Sequence, residues 1–119
     1  MTLEECYAEM GGGLAQALSV LGREERVQRY LERFLGDPTA RMLFESLGAG
    51  RMADAFRAAH TLKGLCRGLG LSRLFESCAA LTECLRGGQG DAALEACVKR
   101  DYEQTMRAIG ALCARHESA

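Results

Sequence analysis

The chain has 119 residues, 48% of them apolar and 26% charged, with a net charge of −1. That length suits one domain able to bury roughly two thirds of its unfolded surface, and the near-neutral balance excludes the global positive field of a nucleic-acid binder. No apolar run approaches the ~20 residues of a membrane span. The acidic start, Met1-Thr2-Leu3-Glu4-Glu5, lacks the basic-then-apolar order of a signal peptide, so a cytoplasmic location is expected.

In chain order, residues 1–21 read as a helical lid in two pieces. Thr2 and Glu5 have capping-box spacing. Gly11-Gly12-Gly13 breaks the helix, and Leu14, Leu18 and Leu21 then form a second short apolar stripe. Three glycines suggest a phosphate loop, but the lysine and preceding strand of such loops are missing. Gly22-Arg23-Glu24-Glu25 opens the next helix, with acids suited to its positive end. Its core stripe is Val27, Leu31 and Phe34, with Tyr30 and Leu35 beside it. Asp37-Pro38 either caps a further helix carrying Leu43 and Leu47 or kinks one long helix. Gly48-Ala49-Gly50 ends that segment.

A helix is expected from about Arg51 to Leu69, followed by a tight Gly70-Leu71 link with Ser72 as the next cap. Leu74, Cys78, Leu81 and Leu85 share one helical face, which predicts an antiparallel hairpin with the preceding helix. Arg86-Gly87-Gly88-Gln89-Gly90 reads as a loop and Asp91 as the cap of a last helix. The stripe of that helix is Leu94, Val98, Tyr102, Thr105, Ile109 and Leu112. Residues 116–119, His116 among them, read as a fraying tail. The whole is expected to be all-α: one domain over 1–119, an antiparallel four-helix bundle over 23–115 under the short lid helices.

The helix expected from about Arg51 to Leu69 is sharply two-faced. At 100° per residue, Ala55, Ala58, Ala59, Leu62, Leu65, Cys66 and Leu69 fall on one side. His60, Lys63, Gly64 and Arg67 fall on the other, with Phe56 and Arg57 close by. A histidine there points at solvent or a partner. Gly64 lies one turn beyond it, where glycine costs about 1 kcal/mol relative to alanine. Such a placement is either a tolerated defect or a need for close approach to the imidazole. An ordinary imidazole, with a pKa of about 6.5, is substantially neutral at neutral pH and is then a nucleophile. Lys63, one turn along, places a cation on the same side as that nucleophile. Arg57 and Arg67 either add to that positive charge or steer an acidic partner. Phe56 is a partner contact or the rim of the core.

Ala59-His60-Thr61-Leu62-Lys63-Gly64 resembles the signature of histidine-containing phosphotransfer domains, the carriers of two-component phosphorelays. Ala55-Phe56-Arg57-Ala58 before it, and Leu69-Gly70-Leu71, Leu74, Cys78 and Leu81 after it, also fit that pattern. The resemblance implies that His60 accepts a phosphoryl group from a receiver phosphoaspartate, or a related donor, and passes it to another receiver. Lys63 would stabilise charge and Gly64 would permit close approach. Phe56, Arg57, Arg67, Gly68 and Thr82 would face the partner. Response-regulator receiver domains are the implied partners, and a hybrid sensor histidine kinase is admitted as a further one. No cofactor is expected on this chain, since the Mg²⁺ belongs to the receiver. The family commonly carries Glu or Gln on the following helix near the histidine; counting along the hairpin places Thr82 there, with Glu83 next to it.

The chain offers no acidic metal cluster and no nucleotide loop, so it reads as a phosphohistidine carrier and not as a self-contained kinase. The competing reading is a helical module that docks signalling partners without being phosphorylated. The six cysteines, at 6, 66, 78, 84, 97 and 113, have no C-x-x-C or zinc spacing. Several lie on apolar stripes, which favours reduced core thiols over disulfides or a metal site.

Overall fold

The computed structural model describes residues 1–117, with the side chains of residues 1–114, and its regular structure over that span is entirely helical. The helices are α1 (Leu3–Met10), α2 (Leu14–Leu21), α3 (Glu24–Leu35), α4 (Thr39–Gly48), α5 (Met52–Leu69), α6 (Ser72–Arg86) and α7 (Ala92–Glu117). The expected tail at 116–119 lies outside the described side chains.

Local chemistry sets the boundaries. At the start of α1, Glu5 N–H donates to Thr2 Oγ1 at 3.1 Å while Thr2 N–H donates to the Glu5 carboxylate at 2.9 Å, a reciprocal cap worth about 1 kcal/mol. Between α3 and α4 the chain is broken at Gly36–Pro38, and the Asp37 carboxylate accepts from Thr39 N–H at 2.9 Å. These are two helices, not one kinked at Pro38. Asp91 caps α7 through Leu94 N–H at 3.0 Å. Ser72 does not cap α6. It is already inside the helix, Leu71 precedes it, and its hydroxyl lies 3.5 Å from the Gly70 carbonyl it donates to. Leu71 is fully buried, so core packing anchors that turn.

The three-glycine turn between α1 and α2 serves packing. Gly13 N–H donates to the Gly70 carbonyl at 2.9 Å. A Cβ on Gly12 would sit 2.6 Å from that same oxygen, and a Cβ on Gly70 would sit 2.5 Å from the Gly13 carbonyl oxygen. Two backbones meet here at a distance no side chain permits. Around the junction, Tyr7 Oη donates to the Leu69 carbonyl at 2.7 Å. Arg73 donates to Gln104 at 2.9 Å, and Gln104 donates to the Glu9 carbonyl at 3.0 Å. The N-terminal segment is thereby tied to the α5–α6 turn and to α7.

Helix α5 sits between α4 and α6, α6 packs on α7, and α7 also supports α1 and α3. Most of the expected core stripes are buried, while Leu14, Leu18 and Leu21 of α2 and Leu94 and Tyr102 of α7 are half-buried. Val27, Leu31 and Phe34 on α3, Leu74, Cys78, Leu81 and Leu85 on α6, and Val98, Ile109 and Leu112 on α7 are buried. Burying each large apolar side chain is worth about 1.5–3 kcal/mol. Tyr102 of α7 meets Phe34 and Phe44 edge-on, with centroids 6.3 and 6.0 Å away, which joins α3 and α4 to α7. Among the described residues no buried side-chain polar atom lacks a hydrogen-bond partner.

All six cysteines are free thiols; four are buried and Cys84 and Cys97 are half-buried. Burial pushes the Cys6 thiol up to about 11, and a hydrogen bond with Cys78 together with burial pushes Cys66 up as well. The four buried ones behave as small apolar core residues. No group of metal-ligating side chains occurs among the described residues, and no described helix is long and apolar enough to cross a membrane.

Candidate functional site

Helix α5 runs for 18 residues on alanine-rich sequence, with Asp54 in its first turn and Gly70 in the left-handed conformation at its end. Ala55, Ala58, Ala59, Leu62, Cys66 and Leu69 are buried, and Leu65 is half-buried. Burying that side forces the other outward. His60, Thr61, Gly64 and Arg67 are exposed, and Lys63 is half-buried along its stem.

The imidazole of His60 stacks on Phe56, with centroids 6.2 Å apart and planes 21° apart. Phe56 is half-buried and also lies under a cation, because the Arg86 guanidinium carbon is 5.0 Å from its centroid. Arg86 Nε and Nη2 donate to the two Glu83 carboxylate oxygens at 3.3 and 3.2 Å. These donors hold the Glu83 carboxyl below its ordinary range, with a smaller contribution from the charge of Lys63. Lys63 of α5 and Glu83 of α6 are thus within electrostatic range of one another. Glu83 was legible only as a neighbour of Thr82, and Arg86 only as the edge of a loop. The Glu83-x-x-Arg86 spacing is visible in the sequence, but its position over Phe56 depends on how the hairpin closes.

The two expected arginines are engaged locally. Arg57 pairs with Asp54, which Arg51 also approaches at 3.6 Å. These three line a polar cleft of about 390 Å³ between α4 and α5. Arg67 lies over the Phe75 ring at 5.1 Å. Both arginines remain on the exposed side.

Thr82 must be corrected. It is fully buried, and its hydroxyl donates to the Cys78 carbonyl at 2.6 Å. It neither reaches the imidazole nor faces a partner. A threonine bonding back one turn satisfies its own hydroxyl inside a helix interface. Among the described residues, no hydrogen bond is made to the His60 ring.

Gly64 and Gly68 are open. A Cβ on either would meet nothing within 4 Å. An alanine methyl at 64 would not crowd the imidazole within this chain, so any close approach belongs to a partner. Beside these glycines lies a mainly apolar groove of about 370 Å³, lined by Val20, Leu21, Tyr30, Phe34 and Leu65, with Arg33 and Asp37 also on its walls. Val20 is 61% and Tyr30 39% exposed, high for large apolar side chains. The groove was not foreseen. The stripe assignments left Val20 unassigned and set Tyr30 beside the α3 stripe, but did not bring α2 and α3 together beside α5.

A family model of the Hpt domain matches residues 2–115. No curated protein and no solved structure gives a match. The match spans nearly all of the chain and includes the exposed histidine, the lysine one turn later and the open glycine surface, and on it the chain belongs to the Hpt domain family, the histidine phosphotransfer modules of two-component phosphorelays.

Proposed function

We propose that the protein carries a phosphoryl group on His60 between receiver domains of a phosphorelay. The observation that supports this most strongly is an exposed, unhydrogen-bonded imidazole one turn from Lys63, on a helix whose other face is buried. The lone pair of a ring nitrogen attacks the phosphorus of a receiver's acyl phosphate. The N–P bond forms, the P–O bond to the aspartate breaks, and the carboxylate leaves with that electron pair. The other ring nitrogen keeps its proton. Charge spread over the equatorial oxygens is met by the Lys63 ammonium from this chain and by the partner's own cations, its Mg²⁺ among them. The phosphoramidate stays reactive, so the reverse attack by a second aspartate empties the carrier. The chain supplies a nucleophile and a charge, and the receiver completes the site; it is a carrier in the cytoplasm, not a kinase.

In this reading α3 or α4, with α5, α6 and α7, forms the antiparallel four-helix bundle, and α1 and α2 form the lid. The apolar groove beside Gly64 and Gly68 is the docking surface for the receiver's apolar face, since it continues directly from the phosphoacceptor side of α5. Gly64 and Gly68 leave the helix backbone bare there, and Arg67 flanks them on the α6 side, over Phe75. Phe56 and Arg57 would form the opposite edge of the footprint.

The test is transfer from a radiolabelled, phosphorylated receiver. Label should pass to the wild-type protein, be lost in acid and survive base. A His60→Gln protein accepting label at the wild-type rate would overturn the assignment.

A further inference from the structure

We infer that Arg86 is a positioning residue for His60, acting through Phe56, and that Glu83 anchors it. The inference rests on His60 being the phosphoacceptor, and it says how the imidazole is aimed.

An exposed histidine on a helix has two free torsions, and in-line attack tolerates little misplacement. A hydrogen bond to the ring is the usual restraint, and here there is none: Thr82, the polar side chain expected to reach across from α6, is buried and donates to Cys78. What touches the ring is the face of Phe56, at 6.2 Å and 21°, inside the range of an offset stack. Phe56 can restrain the imidazole only if its own ring is held. It is half-buried, and among the described residues the cation over it is Arg86, at 5.0 Å. Arg86 is itself a long side chain, more than half exposed, at the last turn of α6. Left alone it would sample many rotamers. Two hydrogen bonds to Glu83, one turn earlier on the same helix, fix the guanidinium plane. A lysine would offer a point charge without that fork. The order of restraint is therefore Glu83 to Arg86 to Phe56 to His60, running from α6 back to α5 across the hairpin.

The arrangement has a second consequence. Glu83 also feels Lys63. One carboxylate thus holds the cation that restrains the ring and lies within electrostatic range of the cation proposed to meet the phosphoryl group. A positioning role and a direct phosphate-binding role for Arg86 make different predictions, because only the first passes through Phe56.

The experiment is a double-mutant cycle on Phe56→Leu and Arg86→Ala, read in two ways. The first reading is the rate of transfer from a phosphorylated receiver. The second is the His60 side-chain rotamer distribution, from three-bond NMR couplings in the unphosphorylated protein. Arg86→Ala should slow transfer roughly two- to five-fold, the size of an exposed cation–π contact expressed as a rate. It should broaden the His60 rotamer distribution while leaving the melting temperature close to wild type. In the Phe56→Leu background the same change should have no further effect on either reading. Arg86→Lys should recover part of the loss, and Glu83→Gln should fall between Arg86→Lys and Arg86→Ala. Losses that add in the double mutant would overturn the inference and make Arg86 a direct phosphate contact. An unchanged rotamer distribution in Arg86→Ala would overturn it as well. A wild-type protein that accepts no phosphoryl group would sink the carrier function, while the NMR reading would still decide whether Arg86 orders the ring.

Discussion

Gly70 and Gly64 stand less than two turns apart on one stretch of chain, in opposite surroundings. At Gly70 the backbone is left-handed, and an added Cβ would lie 2.5 Å from the Gly13 carbonyl oxygen and 3.2 Å from Ala17 N. At Gly64 the backbone is ordinary helix, and an added Cβ would meet nothing within 4 Å. The first glycine is demanded by the fold, because the α1–α2 turn seats its backbone against the α5–α6 turn. The second is demanded by nothing in this chain. It forgoes about 1 kcal/mol of helix stability relative to alanine. In the proposed reading, the space over Gly64, beside the open groove, is kept for the partner that exchanges the phosphoryl group with His60.

If that contrast holds, substitutions at the two positions separate stability from transfer. Gly64→Gln should keep native helix content and slow transfer on the order of a hundredfold, since a long side chain displaces the incoming phosphoaspartate from line. Transfer at the wild-type rate would show that nothing needs the space. Gly70→Ala should do the reverse. It forces a Cβ into a left-handed residue and into a backbone oxygen, so thermal denaturation should show a loss on the order of 3 kcal/mol. Any transfer defect should then track the fraction unfolded. Lys63→Ala should sharpen the picture of the outer face. Transfer should fall about tenfold, while stability changes by under about 0.5 kcal/mol. The smallest effect is Gly64→Ala, which should stabilise the protein by up to about 1 kcal/mol. A drop in its melting temperature would contradict the open surroundings of that position.

Most of what lies within one helix or one turn was legible beforehand. The Thr2–Glu5 box, the break at Asp37-Pro38, the Asp91 cap, most of the buried stripes and the outward side of α5 all follow from spacing, and the structure carries each of them. What could not be read depends on how separate segments meet. The Gly11–Gly13 turn announced a break but not its partner, which lies across the fold at Gly70. The register across the hairpin depends on Gly70 being left-handed and on Leu71 turning inward. Counting through that turn as if it were regular put Thr82 at the surface, when it is buried, while Glu83 and Arg86 emerge beside the histidine face. The groove under Val20 and Tyr30 is likewise a product of three helices meeting, and no one of their stripes contains it.

The central claim is that the outward side of α5 exists to carry a phosphoryl group at one nitrogen-bearing side chain. It is tested most directly by mapping the modified residue. The protein should be charged by a phosphorylated receiver, kept at neutral to basic pH and fragmented by electron transfer in a mass spectrometer. One phosphoryl group per chain, on His60, in wild type and in Gly70→Ala protein that remains folded, is the predicted result. A phosphoryl group on a serine, threonine or aspartate, or on His116 with His60 unmodified, would contradict it.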